Sequence, residues 1–200
     1  MKKRIIRIAS LALVILGMVS CSDEQETALR PQDAKSIPMT FLVSHPGQAS
    51  RATETNFEKN DKIGLYVADA KAQLEIGGNL VNNEALTYDG SKWAAARALY
   101  WDKGTYTAYA YYPYIENVSS ITDQSFSVAL DQRVAKTATS LGGYEASDLL
   151  FATSKNISAS ASPINLTFKH IMSKLKIRLV KGEDFEGEMP ATADVYIHNT

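Results

Sequence analysis

Few side chains in this 200-residue chain are of a type that could do chemistry, and the most informative is its single cysteine. Cys21 ends the stretch Gly17-Met18-Val19-Ser20-Cys21, which resembles a lipobox, where a small residue precedes a cysteine that is acylated and then becomes N-terminal. The competing role, a buried cysteine acting as a small hydrophobe, fits poorly with a position at the end of an apolar run. A lone cysteine also excludes an internal disulfide and a cysteine-rich zinc site. His45, His170 and His198 lie far apart with no ligand-type neighbour two or four residues on, so structural roles are expected, with no metal and no cofactor. No G-x-S-x-G, H-E-x-x-H, Walker or Rossmann pattern occurs, and Glu183 and Glu186 sit in a loop-like, solvated stretch. The expectation is a protein that is not an enzyme. Trp101, Tyr109 and Tyr111 offer the one other candidate site: their rings could stack on sugars, although tyrosine also favours strands and fills sandwich cores.

The elements that would position Cys21 are clear. Lys2, Lys3, Arg4 and Arg7 make a basic leader, and Ile8 to Val19 an apolar run. That run is shorter than the ~20 residues that span ~30 Å of hydrocarbon, so residues 1–20 read as a signal peptide. Acyl chains on Cys21 contribute about 0.8 kcal/mol per buried CH₂ and would hold the protein at a membrane without a spanning helix. Ser22, Asp23, Glu24 and Glu26 come next, and residues 21–36 read as a flexible acidic tether. Without residues 1–20 the chain carries 17 basic and 22 acidic residues, net −5, and an acidic chain of this kind is not expected to bind nucleic acid.

From Ile37 the texture is that of short strands. Met39, Phe41 and Val43 alternate with Thr40, Leu42 and Ser44, the period of a half-buried strand. Pro46 to Ala52 reads as a loop. Ile63 to Val67 is apolar on both faces, Asp89-Gly90 between Tyr88 and Lys92-Trp93 signals a hairpin, and the tyrosine-rich strand after Gly104 should stop at Pro113. Phe126, Val128 and Leu130 alternate, as do Leu175, Ile177 and Leu179, and both sets read as strands. Leu149 to Ala152 reads as a short strand followed by a linker over 153–163. Strands without an amphipathic helix argue for an all-β sandwich over residues 37–158, with 159–200 as the incomplete beginning of a second sandwich.

With these residues laid out, the chain resembles the fimbrillin family of Bacteroidales surface lipoproteins, the subunits and tip proteins of their pili. The resemblance rests on Cys21, Ser50-Arg51-Ala52, Asn60 to Val67, Ala110-Tyr111-Tyr112-Pro113, Asp148 to Ala152 and Leu166 to Leu175. It implies transthyretin-like β-sandwiches in series and export as a lipoprotein to the outer-membrane surface, with the serine and acidic residues after Cys21 as the export signal. It further implies proteolytic processing after Arg51, before Ala52. That cut would displace the first strand, around Met39, Phe41 and Val43, and open a groove for the donor strand of another fimbrillin subunit. The implied role is a shaft, anchor or tip component of a fimbrium, in which a tip would meet host or bacterial surface ligands. The alternative, from a different class, is a surface-anchored glycan-binding lipoprotein of a nutrient-uptake system.

If Cys21 carries the lipid, Cys21→Ala abolishes incorporation of radiolabelled palmitate and leaves a slower-migrating precursor. Unchanged labelling in the variant would sink the lipoprotein reading.

Overall fold

Aromatic and β-branched residues at alternating positions, punctuated by Gly, Asn and Pro, give strands joined by tight turns. The computed structural model describes residues 34–47, 56–173, 175 and 177–193. Its strands are β1 (Phe41–Ser44), β2 (Lys62–Asp69), β3 (Val81–Tyr88), β4 (Trp93–Ala95), β5 (Thr105–Tyr112), β6 (Leu150–Ser158), β7 (Ile164–Thr167) and β8 (Lys169–His170). Six of them form a sheet in the order β4-β3-β2-β5-β6-β8, antiparallel throughout. The other two, β1 and β7, form a separate parallel pair. The fold is all-β; among the described residues the only helical pieces are two short 3-10 turns.

The two sheets face each other across one core. The large sheet contributes Ile63, Leu65 and Val67 from β2, Val81 and Leu86 from β3, Trp93, and Tyr106, Ala108, Ala110 and Tyr112 from β5. Leu150 and Ala152 extend this surface on β6. Against it lie Met39, Ile164, Leu166 and Phe168, with Phe41 and Val43 packed alongside. The alternation along β5 therefore sorts the tyrosines: Tyr106 and Tyr112 are core, while Tyr109 and Tyr111 stand on the outer face.

β2 is buried along almost its whole length, as its double apolar face predicts. Gly64 is essential to that burial on the outer side. It pairs with Tyr111 across the β2–β5 ladder, and the tyrosine ring lies over it so closely that an added Cβ would collide with the ring. The Tyr111 hydroxyl then donates to Asn83 Oδ1 at 2.6 Å and meets the Ile115 carbonyl at 3.0 Å, while Asn83 Nδ2 donates to Ile115 O at 2.8 Å. Burial pushes the phenol up to about 12, with the Ile115 and Asn83 hydrogen bonds working the other way. The hairpin at Asp89-Gly90 forms as its sequence predicts, with Gly90 at φ 102°. Backbone N–H donation from Lys92 and Ser91 holds the Asp89 carboxyl down at about 2.

Four expectations are corrected. Residues 153–158, read as linker, continue β6; a register shift opposite Tyr106–Ala108 absorbs one extra residue, with Asn156 at φ 58°. Phe126, Val128 and Leu130 form no strand, because alternation without a ladder partner is not enough: Ala129 N donates instead to Ser147 Oγ at 2.9 Å. Leu175, Ile177 and Leu179 also form no strand and are exposed. Finally, residues 164–170, placed by the sequence in a second sandwich over 159–200, close the first one: β7 pairs with β1 and β8 with β6.

Gly64→Ala is expected to destabilise the domain by about 1–3 kcal/mol, the usual cost of overpacking. A urea midpoint equal to that of the parent would show that the Tyr111 ring can move aside freely.

Candidate functional site

The segment whose sequence pointed to function is the first strand. Before it, Ile37 to Met39 run antiparallel to Leu99–Trp101, with Met39 N donating to Leu99 O at 2.8 Å and Trp101 N to Ile37 O at 3.0 Å. The chain then passes to the opposite layer. β1 lies parallel to β7 in the register Phe41↔Ile164 to Ser44↔Thr167, closed at its ends by Ile164 N to Thr40 O (2.8 Å) and Phe168 N to Ser44 O (3.0 Å). Met39 is 7% exposed and Phe41 and Val43 pack on the core, whereas Leu42 between them is 58% exposed. The predicted alternation of this strand is thus seen side chain by side chain.

Among the described residues β7 is the only ladder neighbour of β1. Along its other edge runs an open cleft of about 280 Å³, whose walls include Phe41, Val43, Phe57, Tyr88 and Trp93. On the body side its aromatic lining comes from the large sheet and from Phe57, so the cleft and the β1 site form one trough over the core.

The segment from Asn56 to Asp61 is firmly anchored. The Phe57 ring packs edge-on against Trp93 (5.0 Å), Tyr112 (5.5 Å), Phe168 (5.6 Å) and His45 (4.8 Å). Three of these four partners lie downstream. Asp61, 3% exposed, accepts from Glu58 N at 2.7 Å and from Lys136 Nζ at 2.6 Å, and Lys136 also reaches Glu58 Oε2 at 3.1 Å. Burial works against the Lys136 charge, but its hydrogen bonds to Asp61 and Glu58 outweigh that and raise its pKa. This ion group ties the segment after Phe57 to the loop that carries Lys136.

Of the other candidate residues, Cys21, Ser22, Asp23, Glu24, Glu26, Arg51 and Ala52 lie outside the described residues, as does His198. Trp101 is 1% exposed, packs at a tilt against Tyr106 with ring centroids 5.7 Å apart, and donates from Nε1 to Ser160 O at 3.1 Å, so it is a core residue. Tyr109 and Tyr111 face the other side of the sheet, and Tyr111 is engaged with Asn83 and Ile115. The three rings proposed as a sugar platform are therefore not brought together. Two histidines that look unrelated in sequence do meet: the His45 and His170 rings are 6.1 Å apart, and His170 Nδ1 bonds Asp148 Oδ1 at 2.8 Å. Nothing in their local spacing signals this, because the approach depends on β8 pairing with β6. Among the described residues no cluster of three or more His, Cys, Asp or Glu side chains is arranged to hold a metal.

The inward and outward side chains of the first strand should differ sharply when truncated. Phe41→Ala and Val43→Ala, half-buried on the core, should each cost about 1–3 kcal/mol, and Leu42→Ala within about 0.5 kcal/mol. Equal effects at all three in chemical denaturation would refute the observed facing.

Comparison with known proteins places this geometry in context. The chain is 30% identical over 129 residues to a protein of Bacteroides ovatus named as a fimbrium tip subunit, Fim1C, an overlap covering 60% of this chain and 23% of the relative. It thus spans about a quarter of that relative's length. Among solved structures it is similar to a protein described as a cell adhesion protein of Bacteroides ovatus, with a TM-score of 0.44, 20% identity, and 67% of this chain and 51% of the other covered. A fimbrial protein of the same species gives a TM-score of 0.40 at 23% identity, covering 66% and 27%. A further protein described as a cell adhesion protein, from Bacteroides uniformis, gives 0.41 at 20% identity, covering 66% and 48%. The fimbrillin-like family profile matches residues 50–200, three-quarters of the sequence, and the chain belongs to that family.

Proposed function

We propose that this protein is a structural component of a cell-surface fimbrium, exported as a lipoprotein through Cys21 and assembled by strand exchange after its first strand is removed. Family membership supports the fimbrial role. The observation that carries the exchange reading is that β1 forms half of a two-stranded layer, with a single ladder neighbour among the described residues, and seats Phe41 and Val43 over the core, with Met39 just before it.

The energetics suit a strand that is necessary yet replaceable. Each large apolar side chain seated there contributes up to about 1.5–3 kcal/mol, a substantial fraction of the ~5–15 kcal/mol stability of a domain. Its removal leaves apolar wall and one unpaired edge of β7, which an incoming strand satisfies by β-augmentation. The existing ladder is parallel, and parallel pairing is slightly less stable per residue than antiparallel. An incoming antiparallel strand would therefore hold the same trough at least as well.

Cleavage between Arg51 and Ala52 fits this division. Phe57 and the Glu58–Asp61–Lys136 group pin the chain downstream of the cut to partners that are themselves downstream, His45 alone excepted. The body would keep its new end in place once β1 is gone. The second sandwich that the family resemblance implies would then begin beyond His170, where β8 ends. Lipid on Cys21 would hold the precursor at the outer membrane, with Ser22, Asp23, Glu24 and Glu26 directing it to the surface.

In the full-length protein, an arginine-specific protease should yield a body beginning at Ala52, followed by a ladder of SDS-resistant, heat-labile oligomers. Arg51→Ala should block both. Full-length Arg51→Ala protein that still polymerises overturns the processing model.

A further inference from the structure

A cut between Arg51 and Ala52 would break the chain but none of the described contacts that hold the first strand to the body. On the strand's side, all of those contacts are made by residues upstream of Arg51. At the far end, Met39 N donates to Leu99 O and Ile37 O accepts from Trp101 N. In the middle runs the ladder to β7, closed by Phe168 N donating to Ser44 O at 3.0 Å. No ladder bond follows Ser44 among the described residues. The end nearest the cut would therefore be the first to fray, as free chain ends do.

That end is gripped by side chains instead. The His45 ring stands edge-on to Phe57 at 4.8 Å and to His170 at 6.1 Å. Gly47 N donates to His45 Nδ1 at 3.1 Å, which folds the backbone after β1 back onto the ring. Gly47 O also faces His170 Nε2, but at 3.4 Å the contact is long, so the grip rests mainly on the rings. Both gripping residues are positioned by the body. Phe57 packs against Trp93, Tyr112 and Phe168. His170 lies in β8 opposite Leu150, and its Nδ1 is bonded to Asp148 Oδ1 at 2.8 Å.

We propose that His45, held between Phe57 and His170, is a clasp that retains the first strand after the chain is cut, so that the nicked subunit stays closed until an incoming strand displaces it. The clasp rests on the strand-exchange reading and adds its control: cutting licenses exchange, and opening of the clasp sets its rate. A strand that left at the cut would expose the apolar trough and an unpaired edge of β7 to any passing chain. A clasped strand keeps both covered. The clasp also gives displacement a direction. The Ile37–Met39 end is bonded backbone to backbone with Leu99–Trp101, whereas past Ser44 the described contacts are all with side chains of the body, so the incoming strand enters beside His45.

The test uses the full chain with the recognition sequence of a site-specific protease inserted between Arg51 and Ala52. After cutting, gel filtration at intervals follows how much N-terminal fragment still elutes with the body. In the parent the fragment should stay with the body through the first passage and be lost slowly. His45→Ala should shorten its half-life about fivefold, the worth of an aromatic pair of this kind. His170→Ala should shorten it as well, and the double variant by less than the product of the two, because the rings act on each other. His45→Phe, which keeps a ring against Phe57, should restore most of the retention. Leu42→Ala, on the same strand but exposed, should stay within about twofold of the parent. A fragment that separates from the parent body at the first passage overturns the proposal, as do equal half-lives in the parent, His45→Ala and His170→Ala. The inserted site supplies the cut whatever happens at Arg51, so a lack of native cleavage counts against the processing reading alone.

Discussion

A layer of two strands must cover the inner face of a six-stranded sheet, and the rest of this structure answers to that constraint. A sandwich normally shares its core between two sheets of comparable size. Here β1 and β7 are paired only with each other and carry one whole side of the core. Phe168 relieves part of the shortage. It stands between β7 and β8, where the chain crosses from the small sheet to the large one, and is 1% exposed. Phe57 relieves another part by plugging the space between Trp93, Tyr112 and Phe168. The Phe57 ring is held largely by Trp93, Tyr112 and Phe168, all outside β1, so that part of the core does not depend on the strand that the fimbrial reading removes.

The opposite face of the sheet is organised by a different device. Gly64 lets the Tyr111 ring lie flat on the backbone of β2, and the Tyr111 hydroxyl ties together Asn83 of β3 and the turn after Pro113. Three consecutive strands of the sheet are thereby clamped from outside. This explains why the large sheet can keep its shape while its inner face is covered by so little.

Legibility in the sequence followed ladder content. β2 and β5 were readable because their apolar and aromatic residues are dense and their ends are marked by Asn60-Asp61, Gly104 and Pro113. The β3–β4 hairpin was readable from Asp89-Gly90, and the inward set Met39, Phe41 and Val43 from strict alternation. What could not be read were features that depend on a distant partner. Residues 153–158 look like a linker by composition, yet β5 supplies a ladder and Asn156 supplies the bulge that fits them to it. Phe126 to Leu130 alternate as a strand should but pair with no strand, and Ala129 N bonds the Ser147 side chain instead. The parallel pairing of β1 with β7 joins residues more than 120 positions apart, and no local pattern announces it. That pairing is also what moves 164–170 out of a second domain and into the first.

The same long-range pairing bears on how a first strand could be both part of the fold and dispensable. Strands that are parallel neighbours need a long connection, and the connection between β1 and β7 is nearly the whole body of the domain. β2 to β6 all have antiparallel partners in the large sheet, whereas β1 is joined to that sheet through side-chain burial and the short bridge at Pro38–Tyr100. β1 combines a directional ladder to β7 with alternating apolar burial, so its site selects for a backbone edge and a side-chain pattern together. The trough asks only for alternating apolar side chains and a backbone edge. Under the strand-exchange proposal, a strand from another subunit would have to repeat the pattern of Met39, Phe41 and Val43 to take this place.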